Sequence, residues 1–139
     1  MERLAQARVL VRGAVEGELL VSREPLSFWG GYDHHTGDII DRRHPLFGVR
    51  AAGKILALPY ARGSSTTTAV LLEAVWEGTA PAAIFTTATD TFFALASIVA
   101  EGLMGRGFPV GTIEPGVLER LPSGHWLRLE EDGTIYLVR

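Results

Sequence analysis

Short apolar runs broken by turn residues dominate both ends of the chain. Residues 8–15 and 18–21 carry β-branched and other apolar side chains around glycines, a pattern that predicts strands joined by turns. Near the other end, Asp132-Gly133 separates the alternating runs 126–130 and 134–138. Because Asp-Gly between such runs is a strong β-hairpin signal, we expect antiparallel strands at both ends of the chain.

The middle of the chain alternates strand-like and helix-like patterns. Short apolar runs bounded by Gly or Pro indicate buried strands, and apolar residues spaced by three and four indicate helices. In chain order, the predicted elements are a strand over 53–59, a helix over 68–76, a strand over 81–86, a helix over 92–103 after Asp90, a short strand over 108–111 and one helical turn over 117–121. We therefore predict a compact single α/β domain over residues 1–139, with β-α units flanked by antiparallel strands.

Polar groups are concentrated where the strand over 53–59 leads into the next helix. Arg62-Gly63-Ser64-Ser65 places a cation and two hydroxyls there. A helix N-terminus offers free backbone N–H groups and the positive end of the helix dipole, and a glycine lets a ligand approach the backbone. The segment therefore predicts a carboxylate or phosphate site. Ser is also a common N-cap residue, so plain helix capping is the alternative.

Composition and charge narrow the classes of function. A formal net charge of -3 and the lack of a basic run argue against electrostatic binding of nucleic acid. No stretch approaches the roughly 20 apolar residues that span a bilayer, and the first residues do not resemble a signal peptide. We expect a cytoplasmic protein that binds a small molecule, with no nucleic-acid or membrane partner.

Metal-binding side chains are few. Cysteine is absent, which excludes disulfides, thiolate metal ligands and a cysteine nucleophile within this chain. The adjacent His34 and His35 are expected to point in different directions in an extended loop, with no carboxylate at a matching spacing. The sequence therefore predicts no metal site and no cofactor in this chain.

Five motifs follow one another along the chain. They are Leu26-Ser27-Phe28-Trp29-Gly30-Gly31-Tyr32-Asp33, Ile39-Ile40-Asp41-Arg42-Arg43-His44-Pro45-Leu46, Gly53-Lys54-Ile55-Leu56, Arg62-Gly63-Ser64-Ser65 and Gly78-Thr79-Ala80-Pro81-Ala82-Ala83. Together they resemble the small subunit of aconitase X, over residues 11–110. The resemblance implies a swivelling β/β/α domain that closes over a large catalytic subunit in a heterodimer. An iron or iron–sulfur centre would belong to that large subunit.

The resemblance also implies a reaction, the removal of water from a β-hydroxy acid, and roles for particular residues. Ser64 would be the base, with Ser65 as the fallback. Because a helix dipole alone cannot activate a serine, additional positive charge is needed. Arg62, beside Gly63, is the nearest candidate, either to stabilise the alkoxide or, as we favour, to clamp the substrate carboxylate. An Arg62 paired with a loop carboxylate is the alternative for that residue. The first expected substrate is cis-3-hydroxy-L-proline and the second is 5-phosphomevalonate. A noncatalytic anion-binding or regulatory module is the alternative from another class.

The long polar loop over 25–46 is too rich in Gly, Asp, His and aromatic residues for a simple connector. Within it, Gly30, Gly31 and Asp33 are candidates for another wall of the substrate pocket, with Asp33 orienting the substrate or Arg62. Capping of a local turn is the alternative for Asp33. The charged run over 41–44 is expected to be either a polar surface against the large subunit or a solvated loop.

Overall fold

The computed structural model describes residues Met1 to Arg139 and contains ten strands and three helices. The strands are β1 (Glu2–Gln6), β2 (Arg8–Val11), β3 (Val15–Val21), β4 (Leu26–Ser27), β5 (Ile55–Leu58), β6 (Ala61–Arg62), β7 (Ala83–Thr86), β8 (Val110–Thr112), β9 (Trp126–Leu129) and β10 (Thr134–Leu137). The helices are α1 (Ser65–Glu77), α2 (Thr91–Met104) and α3 (Pro115–Arg120). No helix is both long and apolar enough to cross a bilayer.

Eight strands form one sheet in the order β1-β10-β9-β3-β5-β7-β8-β2. The run from β3 through β5 and β7 to β8 is parallel, and every other pairing in this sheet is antiparallel. Only Ala7 separates β1 from β2, and its N–H donates to the carbonyl of Gly133 (2.8 Å). The N-terminal segment therefore lines both edges of the sheet. The predicted β-α units flanked by antiparallel strands are confirmed.

Each central strand contributes to two cores, because successive side chains point to opposite faces of a strand. In β5, Ile55 and Ala57 pack with α3 and the hairpin of β9 and β10, whereas Leu56 and Leu58 pack with α1 and α2. All four residues of β5 are buried, as the apolar run predicted. The result is a layered β/β/α arrangement, with α1 and α2 covering the outer face of the parallel strands.

The structure extends α1 by three residues at its N-terminus relative to the sequence prediction. Helix α1 begins at Ser65 and includes a run of threonines, which are weak helix formers. Tertiary contacts compensate, because Thr67 and Thr68 are buried and the Thr68 hydroxyl donates to the Phe92 carbonyl (3.0 Å). The helix ends as predicted at Gly78, which adopts a left-handed conformation with φ of 77°.

The loop between β4 and β5 is packed into the domain. Phe28 is fully buried, stacks on Tyr32 and meets the ring of Phe93 edge-on. The Tyr32 hydroxyl donates to the Thr79 carbonyl (2.7 Å), just beyond the end of α1. Burial, and then the nearby Asp38 carboxylate, raise the pKa of Tyr32 well above its ordinary value of 10.0. This aromatic cluster packs the loop against α2 and against Thr79, just beyond the end of α1.

His44 does not belong to a polar surface, which corrects the expectation for residues 41–44. It is buried, its Nδ1 accepts from the Leu46 N–H (3.0 Å), and its Nε2 lies 3.1 Å from the Ser22 hydroxyl. Because Nδ1 accepts, Nε2 is the ring nitrogen that can donate to the Ser22 hydroxyl. His44 therefore pins the loop to the end of β3. Arg42 and Arg43 are exposed as expected.

Candidate functional site

The predicted Arg62-Gly63-Ser64-Ser65 segment lies at the carboxyl edge of the parallel strands. Strand β5 ends at Leu58, and the chain then forms β6 before entering α1. The sequence did not predict the two-stranded parallel sheet of β4 and β6, in which Ser27 pairs with Arg62. Ligands of open α/β sheets bind at this edge, so the segment occupies a position that suits a binding site.

The first turn of α1 is not capped. Ser64 occupies the N-cap position, yet its exposed side chain makes no capping hydrogen bond. The backbone N–H groups of Gly63, Ser64, Ser65 and Thr66 have no acceptor within the chain. The Thr67 N–H donates only to the Ser64 carbonyl (2.9 Å). Plain helix capping therefore does not describe this end of the helix, which presents four consecutive donors to an anion.

Gly63 shapes this row of donors. Its φ of +107° lies in a region that side-chain-bearing residues rarely adopt. A Cβ at this position would lie 3.2 Å from the Thr66 hydroxyl and 3.6 Å from that of Thr67. The Thr67 hydroxyl is itself buried without a hydrogen-bond partner. Gly63 therefore gives the chain, just before α1, a conformation in which four successive N–H groups have no acceptor within the chain.

The electrostatics at this end of α1 favour an anion. Arg62 is exposed and takes part in no ion pair, so the alternative in which a loop carboxylate neutralises it is not observed. The first turn of α1 contains no acidic residue. The guanidinium therefore adds its charge to the positive end of the helix dipole. Its planar pair of donors suits a carboxylate or a phosphate.

The two glycines of the loop lie at the same end of the domain as Arg62 but differ from one another. A side chain at Gly31 would collide with the backbone carbonyl of Ser27, the residue that pairs with Arg62. The close approach at Gly31 is thus made by the chain itself. Gly30 is exposed, has φ of +76° and faces open space. Of the two, Gly30 leaves room for a ligand.

Asp33 is not brought to Ser64. Its carboxylate accepts from the His35 N–H (2.9 Å), which is the local turn capping considered as the alternative. The neighbouring His35 contacts Glu77, the last residue of α1. Since α1 has 13 residues, it is about 20 Å long. Asp33 therefore lies beside the opposite end of this helix from Ser64.

Two polar groups beside the segment were not predicted from the sequence, the Thr66 N–H and the buried Thr67 hydroxyl. Their only sequence signal is a run of threonines at a helix start, a place where β-branched residues are not favoured. The site is also open to solvent, because Arg62, Gly63, Ser64 and Ser65 are all exposed. A cavity of about 490 Å³ lies elsewhere, between α2 and the turn that joins β2 to β3. The four-residue segment therefore lies on an open surface and not in a cavity of this chain.

Comparison with known families shows what kind of domain contains the Arg62-Gly63-Ser64-Ser65 segment. Residues 4–137 match the family described as the aconitase X swivel domain. The chain belongs to the aconitase X family. This confirms the resemblance found in the sequence motifs.

Two aconitase X relatives illustrate how the domain occurs. A cis-3-hydroxy-L-proline dehydratase of Pseudomonas aeruginosa is 45% identical over 132 residues, which are 95% of this chain and 22% of that protein. The chain therefore spans about a fifth of the length of this relative. A phosphomevalonate dehydratase small subunit of Methanosarcina acetivorans is 32% identical over 96% of this chain and 90% of its own length.

The fold agrees with a solved aconitase X. The crystal structure of Thermococcus kodakaraensis aconitase X in its holo-form superposes with a TM-score of 0.85 at 30% identity, covering 97% of this chain and 98% of that chain. This chain therefore has the fold of the solved aconitase X chain, as the sequence motifs predicted.

Proposed function

We propose that this chain is the small, swivelling subunit of an aconitase X-type dehydratase, a hydro-lyase that removes water from a β-hydroxy acid. The observation that carries this proposal is the open N-terminus of α1, where four free N–H groups and the uncapped Ser64 lie beside an unpaired Arg62. The names of the aligned relatives support the same class of reaction. A cytoplasmic location stays a prediction of the sequence.

The substrate carboxylate is the proposed ligand of this open helix N-terminus. Removing a proton from the carbon beside a carboxylate places additional negative charge on its oxygens. Donors already aimed at those oxygens stabilise that charge without reorganising during the reaction. Arg62 and the N–H groups of Gly63 to Thr66 supply such donors. A hydrogen bond to a charged group contributes about 1.5–3 kcal/mol, so a few of them lower the barrier substantially.

Ser64 is the proposed base. Its hydroxyl makes no hydrogen bond within the chain, so no intramolecular contact must break before it reaches the substrate proton. A helix dipole contributes about 0.3–2 kcal/mol, while one pKa unit corresponds to about 1.4 kcal/mol. The dipole alone therefore cannot ionise a serine at neutral pH. Arg62 or groups from the covering subunit must supply the remaining stabilisation of the alkoxide.

Ser65 is the alternative base. It is the first residue of α1, it is exposed, and its side chain likewise forms no hydrogen bond within the chain. The two serines differ in their position on the backbone, because Ser64 precedes the helix and Ser65 belongs to it. Substitution of each serine separately distinguishes them.

A large catalytic subunit is the proposed partner that covers the open site. This chain has no cysteine, and residues 59–68 around Ser64 contain no His, Asp or Glu. Its donor set near the site therefore does not fit an iron or iron–sulfur centre, which we assign to the large subunit. The steps that this chain contributes to the proposed reaction are binding of the carboxylate and removal of the proton.

The proposed substrate is cis-3-hydroxy-L-proline. The dehydratase named for that compound supports it, because its 45% identity extends over 95% of this chain, whereas a phosphomevalonate dehydratase small subunit of Methanothermobacter thermautotrophicus is 43% identical over 67% of the chain. The second candidate is 5-phosphomevalonate, favoured by the phosphomevalonate dehydratase small subunit that this chain aligns with over 90% of its length. Both molecules present an acid group that an open helix N-terminus can bind.

The experiment that tests this function is reconstitution with the large subunit. The purified pair is assayed on both acids, beside each subunit alone. We expect water loss from cis-3-hydroxy-L-proline only when both chains are present. Turnover of 5-phosphomevalonate alone would select the second substrate. Full activity of the large subunit without this chain would leave only the noncatalytic anion-binding or regulatory module.

A further inference from the structure

Two histidines and a glutamate meet at the C-terminal end of α1. Nδ1 of His35 lies 2.9 Å from Oε1 of Glu77, and Nδ1 of His34 lies 3.5 Å from Oε2 of the same carboxylate. The two imidazole rings are 4.2 Å apart. The ligand atoms of all three residues lie within 4.8 Å of one another.

This arrangement overturns the expectation that the histidines diverge and have no carboxylate nearby. The chain around them is a tight turn rather than an extended loop, since the N–H groups of Thr36 and Gly37 both donate to the Asp33 carbonyl (3.2 and 2.7 Å). The turn brings both rings to one side. Glu77 comes from a distant part of the sequence, so no local spacing could have revealed it.

The positions of these side chains are fixed by their backbones. The Thr79 hydroxyl donates to the His34 carbonyl, and the Asp33 carboxylate accepts from the His35 N–H (2.9 Å). Glu77 is the last residue of α1, immediately before the left-handed Gly78. These two hydrogen bonds use backbone groups of His34 and His35, so neither of them uses an imidazole nitrogen.

One imidazole nitrogen has no partner of its own. Nδ1 of His34 is buried and makes no hydrogen bond, a state that normally has a cost. The C-terminus of a helix carries a negative partial charge that favours a cation, and the last turn of α1 contains no basic residue to supply one. A metal cation between the three side chains would give Nδ1 of His34 a partner and would place a positive charge at the C-terminus of α1.

We propose that His34, His35 and Glu77 bind a divalent transition-metal ion of the zinc type. Two imidazoles and one carboxylate are a common zinc ligand set, with water in the remaining position. Around a tetrahedral ion with ligands at about 2.0–2.1 Å, neighbouring ligand atoms are about 3.3 Å apart. The two imidazole nitrogens lie 2.9 Å and 3.5 Å from Glu77, one from each carboxylate oxygen, so the three side chains are already close to the spacing of such ligands. The ion would fasten the loop to the end of α1, far from Ser64.

A zinc titration of the full chain tests this site. We expect saturable binding of one Zn²⁺ per chain by calorimetry, and a melting temperature that rises with zinc. His35→Ala and Glu77→Gln should each weaken binding at least about tenfold. The His35 side chain is 70% exposed, so its removal leaves the packing intact. The matched control is His125→Ala, an exposed histidine outside the cluster, which should bind zinc as the unmodified chain does.

Two controls keep the titration decisive. Without zinc, the circular dichroism and melting temperature of each variant should match those of the unmodified chain, which separates lost binding from lost folding. Cobalt(II) should give the intense visible spectrum of a tetrahedral site, lost in Glu77→Gln. Absence of saturable binding, or equal affinity in His35→Ala, Glu77→Gln and the unmodified chain, would overturn the proposal. Neither outcome depends on the dehydratase reaction, so the two proposals fail separately.

Discussion

The two long helices begin at the same edge of the sheet, but their first turns differ. Helix α1 follows β5, and α2 follows the neighbouring parallel strand β7. At α2, the Asp90 carboxylate accepts from the N–H groups of Phe92 (2.9 Å) and Phe93 (3.1 Å). At α1, Ser64 occupies the same position and accepts none. The N-terminus of α2 is closed by its own chain, whereas the N-terminus of α1 is open, and we propose that a ligand binds there.

If the proposed site is correct, the difference means that α1 keeps its N-terminus open with some loss of stability. A side-chain N-cap contributes about 1 kcal/mol, and α1 forgoes it although Ser is among the best capping residues. The helix is instead held by its buried face, including Val70, Leu71 and Ala74. Functional sites commonly leave such stabilisation unused. Substitutions at the N-terminus of α1 or of α2 test this contrast. The substitution expected to have the largest effect on stability and turnover is at Ser64.

Ser64→Asp gives α1 the same cap that α2 has. An aspartate at the N-cap can accept from the free N–H groups, so we expect the free energy of unfolding to rise by about 0.5–2 kcal/mol. The same carboxylate would occupy the place of the substrate anion and remove the proposed base, so turnover should be abolished. Thermal melts and assays of the reconstituted enzyme measure the two effects. A variant that is both stabilised and active would show that the open helix end is not needed for the reaction.

Arg62→Ala removes the cation beside the open helix end. Loss of one charged hydrogen bond of about 1.5–3 kcal/mol corresponds to a decrease in kcat/KM of about 10- to 150-fold. Arg62→Lys should recover only part of this, because an ammonium cannot bind a carboxylate in the bidentate manner of a guanidinium. Steady-state kinetics of both variants provide the measurement. Arg23→Ala, at an exposed arginine of another loop, is the matched control and should retain full activity.

Asp90→Ala opens the helix end that the chain closes. The N–H groups of Phe92 and Phe93 would lose their acceptor, and we expect a loss of about 1 kcal/mol in the free energy of unfolding. Chemical denaturation measures it directly. Turnover below the melting temperature should stay at the level of the unmodified enzyme. A large loss of activity with an intact fold would show that both helix ends serve the reaction.

Tyr32, whose hydroxyl binds the chain just after the C-terminus of α1, should make stability depend on pH without affecting turnover. The raised pKa of Tyr32 means that its stabilising contribution is complete below pH 10.0 and decreases as the pH rises above that value. Unfolding monitored at increasing alkaline pH should show this decrease. Tyr32→Phe should lose the stabilisation from the hydrogen bond to Thr79, about 1 kcal/mol, together with its share of the pH dependence. An unchanged alkaline slope in this variant would assign the slope to other groups.

Local patterns were sufficient to predict most of the fold. The apolar run of β5, the helix that follows Asp90, the Gly78 stop and the Asp132-Gly133 turn each depend on residues adjacent in sequence, and each is found in the structure. The short sheet of β4 and β6 was not predicted, because two-residue strands carry no periodicity and pair across a long loop.

Only part of the candidate site could be predicted from the sequence. Arg62, Gly63, Ser64 and Ser65 are contiguous, so their proximity follows from the sequence alone. Asp33 and the pair of histidines depend on how the long loop folds along α1, which no local spacing specifies. The openness of the helix end was also invisible, because Ser64 is equally suited to capping. Only the hydrogen-bond pattern distinguishes the two cases.

The proposed role of Ser64 is decided by comparing Ser64→Ala with Ser65→Ala in the reconstituted enzyme. Because the Ser64 hydroxyl caps nothing, Ser64→Ala should melt like the unmodified chain while its turnover falls by about 100-fold or more, as expected when a positioned base is lost. Ser65→Ala should retain most of its activity. Wild-type turnover in Ser64→Ala, with the loss found in neither variant or only in Ser65→Ala, would contradict the assignment of Ser64 as the base.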